Sequence, residues 1–273
     1  MKKRIIKISL IVVVSLLAIW VLLTNILVGF TEYTIKYDSL PHAFDGFKIA
    51  QISDLHNNDY WGVKDSVVDG IRRFEPDIIA ITGDLVDSAD TKVDVSLEIV
   101  KELSGIAPCY YVTGNHEAWL EDEDINKLMT GLSEYGVNIL RDEFMVISKG
   151  GEEMLIAGVD DPDFSYGVNM IPKIAGDDER FTVLLSHRPE YYEVYKTSGV
   201  QLVLSGHAHG GQFRLPFIGG IYAPHQGFFP EYDSGVYQYG DFALVVSRGV
   251  GNSVFPIRFN NMPEVVLIEL ERE

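Results

Sequence analysis

A chain of 273 residues with 47% hydrophobic content, a formal net charge of −18 and a single cysteine has enough material for one sizeable core. Its acidity disfavours duplex nucleic acid as a routine partner and is repelled by an anionic lipid face. Cys109 alone excludes an intramolecular disulfide and a cysteine metal cluster.

The first thirty residues differ from the rest. Lys2, Lys3, Arg4 and Lys7 precede an uncharged run from Ile8 to Phe30. As a helix, that run is long enough for a bilayer core of about 30 Å. A cleavable signal peptide has a shorter apolar region, of about 7 to 15 residues, and ends in small residues. Here the run ends Val28-Gly29-Phe30, so it reads as an uncleaved anchor over residues 1–30. The basic flank keeps the N-terminus cytoplasmic and directs residues 31–273 outward, to the extracytoplasmic side of a single-pass cell-membrane protein.

The remainder alternates short apolar runs with helix-length segments. The run 47–52 leads into Ser53-Asp54-Leu55-His56, and 77–81 leads into Thr82-Gly83-Asp84. The run 109–112 leads into Thr113-Gly114-Asn115-His116, 181–185 into Ser186-His187, and 200–204 into Ser205-Gly206-His207-Ala208-His209. Their Ile, Val, Leu and Tyr content suits strands buried on both faces. Residues 65–74 and 94–103 carry apolar side chains at helical spacing, and 121–135 is an acidic third helix candidate. Gly150-Gly151 followed by 154–158 predicts a hairpin, and 264–270 a last strand. A βαβαβ alternation without linker, repeat or low-complexity tract predicts one layered α/β domain.

Every one of the five runs ends in Asp, Asn or His. Ligands of open α/β sheets bind at strand carboxyl ends, so those ends predict one site. It collects Asp54, His56, Asp84, Asn115, His116, His187, His207 and His209, including five of the seven histidines. A lone histidine is ordinarily a satisfied core residue. This many polar groups buried without a cation would each cost several kcal/mol of unmet hydrogen bonding. Imidazole and carboxylate are donors that first-row divalent ions prefer. Gly83 leaves room beside Asp84, and Gly206, Gly210 and Gly211 flank the two imidazoles of 207–209.

In order and context, Asp54-x-His56, Gly83-Asp84, Gly114-Asn115-His116-Glu117, His187 and Gly206-His207-Ala208-His209 resemble the calcineurin-like metallophosphoesterases, with no element of the pattern missing over residues 46–270. Glu117 stands where Asp is more frequent, at a position that is not a ligand. The resemblance implies a four-layer α/β/β/α sandwich and two divalent ions, with Mn, Fe, Zn, Ni and Mg all compatible with the donors. It implies one ion on Asp54, His56 and His209, the other on Asn115, His187 and His207, and Asp84 between them. It further implies hydrolysis of a phosphodiester, pyrophosphate or phosphomonoester by a metal-bridging hydroxide, with His116 orienting phosphate and protonating the leaving oxygen.

The segments 210–220 and 247–258, with the anchor, look like a branch of membrane-associated bacterial phosphodiesterases similar to UDP-2,3-diacylglucosamine pyrophosphatase. An anchor beside the site favours a lipid-linked or envelope substrate. The aromatic segment 213–232 is read either as a lipid-facing lip or as a loop packed on its own domain. Arg214 and Arg248 are candidates for a substrate phosphate or for structural ion pairs. Residues 160–163 (Asp-Asp-Pro-Asp) read as an exposed acidic turn rather than a cation site, and His42 and His225 match no motif. Two alternatives remain open: a metal-binding scaffold without catalysis, and a nucleotide phosphodiesterase released after leader cleavage.

Overall fold

The computed structural model describes residues 2–58, 62–165, 167–174, 179–252 and 255–273; Ser253 and Val254 of the 247–258 segment lie outside the described residues. Helix α1 covers Lys2–Ile26 and is the one described helix long and apolar enough to cross a membrane. Two residues later the chain enters strand β1 (Gly29–Tyr37), followed by β2 (Phe47–Ile52), α2 (Val63–Phe74), β3 (Ile78–Ile81), α3 (Val93–Ser104) and β4 (Cys109–Tyr111). A short α4 (Asn115–Ala118), α5 (Asp122–Glu134) and β5 (Asn138–Ile139) complete this half.

The second half contains β6 (Glu143–Lys149), β7 (Glu152–Gly158), α6 (Ile171–Ile174), β8 (Thr182–Leu185), α7 (Tyr192–Lys196) and β9 (Leu202–Ser205). Two small hairpins follow, β10 (Arg214–Leu215) with β11 (Gly219–Gly220) and β12 (Tyr222–Ala223) with β13 (Gly227–Phe228). Strands β14 (Gly235–Tyr239), β15 (Phe242–Val246) and β16 (Glu264–Arg272) end the fold.

Two six-stranded sheets form, in the orders β1-β16-β2-β3-β4-β5 and β14-β15-β9-β8-β7-β6. Three apolar layers follow from the two-residue period of the strands. In β2, Ala50 and Ile52 turn toward α2, α3 and α5, meeting Val67, Ile71, Val100 and Leu132. Ile49 turns the other way, into the space between the sheets, with Ile268, Val183, Leu204 and Val245. On the far face of the second sheet, Leu184, Val203 and Leu244 pack under Ile171 and Tyr195. Helices, sheet, sheet and helices make the four-layer α/β/β/α sandwich that the resemblance implies. Each fully buried Val, Leu or Ile contributes roughly 1.5–3 kcal/mol, so the double-sided strands supply most of the driving force.

The helices stand close to their expected limits, and the β6–β7 hairpin turns at Gly150-Gly151, both in the left-handed region at φ 60° and 86°. The acidic stretch at 160–163 departs from expectation. Asp160 and Asp161 are buried, Asp160 paired with Arg141 at 2.9 Å and Asp161 held by Arg188 through Nε and Nη2 at 2.6 and 2.8 Å. Distant arginines, invisible from local sequence, neutralise what reads as a solvated turn.

Cys109 is buried in β4, and burial pushes its thiol up to about 12. A folded chain at pH 8 should therefore resist a disulfide-forming thiol reagent and react with one equivalent only after unfolding in guanidinium. Rapid labelling of the native protein would contradict this packing.

Candidate metal centre

Where β2, β3, β4, β8 and β9 end, the buried ladders stop and polar side chains begin. Asp54, His56 and His209 come together, their ligand atoms within 4.8 Å of one another, and so do Asp84, His187 and His207. Asp84 connects the groups. Its Oδ2 lies 3.6 Å from His56 Nε2 and 3.3 Å from His187 Nε2, while Oδ1 accepts the His116 backbone N–H at 2.9 Å. Asp54 places Oδ1 3.4 Å from His209 Nε2 and receives the His207 N–H. The two imidazole pairs are equally close, at 3.3 Å for His56–His209 and 3.1 Å for His187–His207.

The backbone is contorted to achieve this. Asp54, His56, Asp84, His207 and His209 all lie in the left-handed region, with φ between 45° and 63°. For residues with a Cβ that conformation costs of order 1–2 kcal/mol each, and such strain concentrates at functional sites. Glycines permit the close approach. A Cβ on Gly114 would stand 2.2 Å from Asp84 Oδ1, and one on Gly206 would stand 1.8 Å from Ser53 Oγ.

Electrostatics favour lone pairs over protons at most of these rings. Burial pushes the imidazoles of His56 and His209 down to about 3, and drives His207 well below its ordinary value, with His187 adding repulsion. Burial also opposes charge on His187, yet Asp84 outweighs it and holds that imidazole well above its ordinary value. Asp84 is held well below the carboxylate range by His187, despite its own burial. His187 Nδ1 donates to the Thr82 carbonyl at 2.7 Å, which turns Nε2 toward Asp84. Asn115, at the start of α4, is buried and its Oδ1 has no hydrogen-bond partner among the described residues.

His116 differs from the others. Its Nδ1 accepts the Ser88 backbone N–H at 3.0 Å, so the proton of the neutral ring sits on Nε2. Its ring meets His56 edge-on at 4.5 Å and Trp119 at 5.2 Å.

Asp87 was not singled out by sequence, and Glu117 and His225 carried no assigned role. Asp87 lies 4.0 Å from His56 Nδ1 and 3.9 Å from His116 Nδ1, three residues beyond Asp84, and that spacing was the available signal. Glu117 is buried and accepts backbone N–H groups from Asp84, Leu85 and Gly114 at 2.9, 2.8 and 2.7 Å, with Val86 at 3.4 Å. Burial, then Asp84, pushes its carboxyl up to about 7. His225 Nδ1 lies 2.9 Å from His207 Nε2, with Arg188 Nη1 3.1 Å from its other nitrogen. Arg214 and Arg248 form ion pairs, with Asp233 at 3.0 Å and Glu264 at 2.6 Å, the structural alternative of the two expected.

A model of the Calcineurin-like phosphoesterase family matches residues 47–211, the stretch that carries every one of these strand-end groups. The chain belongs to the calcineurin-like metallophosphoesterase family. It is a metal-dependent phosphoesterase, as the family description and the names of its relatives have it. The Bacillus subtilis metallophosphoesterase YkuE is 34% identical over 252 residues, covering 88% of this chain and 85% of that protein. The Escherichia coli phosphodiesterase YaeI is 29% identical over 229 residues, 82% of each chain. Among solved structures, TT1561 of Thermus thermophilus superposes with a TM-score of 0.51 at 15% identity, covering 75% of this chain and 90% of that one, which shows the shared fold. This metallophosphoesterase places its ligand-type residues at the carboxyl ends of strands from both sheets.

Proposed function

We propose that the chain is a membrane-anchored hydrolase that cleaves a phosphodiester or pyrophosphate at a two-metal centre. The observation that carries this is the position of Asp84 Oδ2, within reach of one imidazole from each group. The donor set fits a pair of divalent ions. Buried neutral imidazoles offer lone pairs, and the orphaned Oδ1 of Asn115 wants an electrophile. Asp54, His56 and His209 would hold one ion and Asn115, His187 and His207 the other, with Asp84 serving both. Bound there, the ions supply Lewis acidity toward phosphoryl oxygens and lower the pKa of water.

The chain's own groups do the rest. His116 presents an Nε2 proton to the leaving oxygen, its tautomer set by Ser88. Asn115 adds no negative charge to repel the phosphate. Residues 1–30 would form the anchor and 31–273 the catalytic domain, facing outward by the basic flank of α1. The name of YaeI supports diester chemistry, and an anchor joined directly to the domain favours a lipid-linked or envelope substrate.

Elemental analysis of reconstituted protein, paired with turnover of bis(4-nitrophenyl) phosphate, tests the reading. Two metal equivalents with turnover are expected. Fewer than one equivalent would end the two-metal proposal, and two equivalents without turnover would favour a scaffold.

Metal loading should also expel the His187 proton. A histidine raised in the fold adds stability that is complete below about 6.5 and lost as pH rises through its folded value. The metal-free protein therefore gains from this proton at acid and neutral pH, and metal affinity should climb with pH. Calorimetric titration of metal in buffers of different ionisation enthalpy should register proton release. Identical heats in all buffers would count against His187 as a ligand.

A further inference from the structure

We infer that an uncharged aromatic rim beside the metal centre rests in the interface of a zwitterionic bilayer, next to the point where α1 leaves it. The inference rests on the proposed membrane anchor and goes beyond it, because an anchor alone leaves the orientation of the domain open.

Three segments build the rim. Phe217 and Ile218 form the tip between β10 and β11, Phe228 and Phe229 stand at the end of β13, and Phe255 and Ile257 precede Arg258; all six are exposed. Phe213 joins the first to the third, meeting Phe255 edge-on at 6.3 Å and bridging to Phe259, and the Phe229 N–H donates to the carbonyl of Ile221, whose own N–H donates to the Phe213 carbonyl. Leaving such side chains in water forgoes roughly 1.5–3 kcal/mol each, and clusters of this kind mark contact surfaces. The chain is strongly acidic, yet residues 215–229 contain no Asp, Glu, Lys or Arg. Aromatic residues without net charge suit the headgroup boundary of a neutral bilayer.

The rim is continuous with α1. Asn25 Nδ2 donates to the Arg258 carbonyl at 2.8 Å, and the Arg258 N–H returns to Asn25 Oδ1 at 2.7 Å, so the last turn of α1 is fixed to the segment carrying Phe255 and Ile257. Arg258 is itself buried, donating to the carbonyls of Arg248 and Gly251 with Nη2 3.5 Å from His209 Nδ1. A pocket of about 340 Å³ lies at this junction, lined by Leu22, Asn25 and Ile26 of α1 on one side and by His56, Asp87 and Lys92 on the other. The end of the span, the rim and the approach to the metal residues therefore share one face.

The test uses the full chain in phosphatidylcholine vesicles. Phe217→Cys and Phe229→Cys are labelled separately with a bimane fluorophore, and lipids carrying a nitroxide near the headgroup are added. Native Cys109 is buried and stays unlabelled. Tyr239→Cys is the reference, exposed at the opposite end of the second sheet where Tyr239 pairs with Phe242. Both rim labels should lose more than about half of their emission while the reference keeps its own. Rim labels quenched no more than the reference overturn the inference, including the case in which a protein partner or second copy covers the rim. Extraction with alkaline carbonate separates the two ideas: a retained chain with unquenched labels sinks the rim alone, and a chain released into the wash sinks the anchor with it.

Discussion

Replacing His116 by alanine should slow hydrolysis of an alkyl phosphodiester by about 10⁴-fold and of bis(4-nitrophenyl) phosphate by only about 10²-fold, with the metal content unchanged. The asymmetry follows from the leaving groups. A nitrophenolate departs without a proton, whereas an alkoxide needs one in the transition state. His116 Nδ1 is committed to the Ser88 N–H at 3.0 Å, which leaves Nε2 as the proton-bearing atom. The backbone N–H of the same residue binds Asp84 Oδ1 and survives the substitution, so the ligand geometry has no reason to change. Equal losses on the two substrates would deny His116 the role of acid. Loss of metal would make it part of the chelating set.

Glu117→Leu should destabilise the domain by about 3 kcal/mol or more, because it leaves at least three buried N–H donors at about 1–3 kcal/mol each. The carboxylate ties the loop after β3, through Asp84 and Leu85, to the loop after β4, through Gly114. Those loops carry Asp84 and Asn115, so activity should fall together with the urea midpoint. A normal midpoint with lost activity would assign Glu117 to chemistry rather than support. Comparison with Glu117→Gln adds resolution: its amide retains one acceptor oxygen and presents two donors where only donors face it.

Much of this arrangement is legible in the chain itself, for a specific reason. A strand buried on both faces is a short apolar run, and its end is marked by the first polar residue. In this fold the first candidate ligand stands two or three residues past each such end. Asp54, Asp84, Asn115, His187 and His207 announce themselves by position as much as by type. The N-terminal basic-then-apolar pattern likewise gives the limits of α1 to within a few residues.

What was not legible depends on distant partners. Strand β1 alternates Glu32 and Lys36 with Tyr33 and Ile35, directly after an apolar helix, and only its ladder with β16 makes it a strand. Asp160 and Asp161 look solvated until Arg141 and Arg188 arrive from elsewhere in the chain. His225 sits in a loop of glycine, proline and aromatics, and its proximity to His207 comes from how the β12–β13 hairpin folds back. Glu117 was visible as a motif residue, but its work as a four-fold acceptor requires both loops in place.

The placement of β16 has a consequence for assembly. It runs antiparallel to β2 and parallel to β1, lying between them in the order of the first sheet. Residues 29–37, made more than 200 residues before β16, have no partner among the described strands until residues 264–272 emerge. Such sequence-distant pairing is slow, and the waiting edge is open to mispairing. A ribosome stalled or a gene truncated shortly before residue 264 would thus leave a nascent product with all its candidate ligand residues and an unfinished sheet. Loss of residues 264–272 should resemble a quality-control defect rather than a mild enzymatic one.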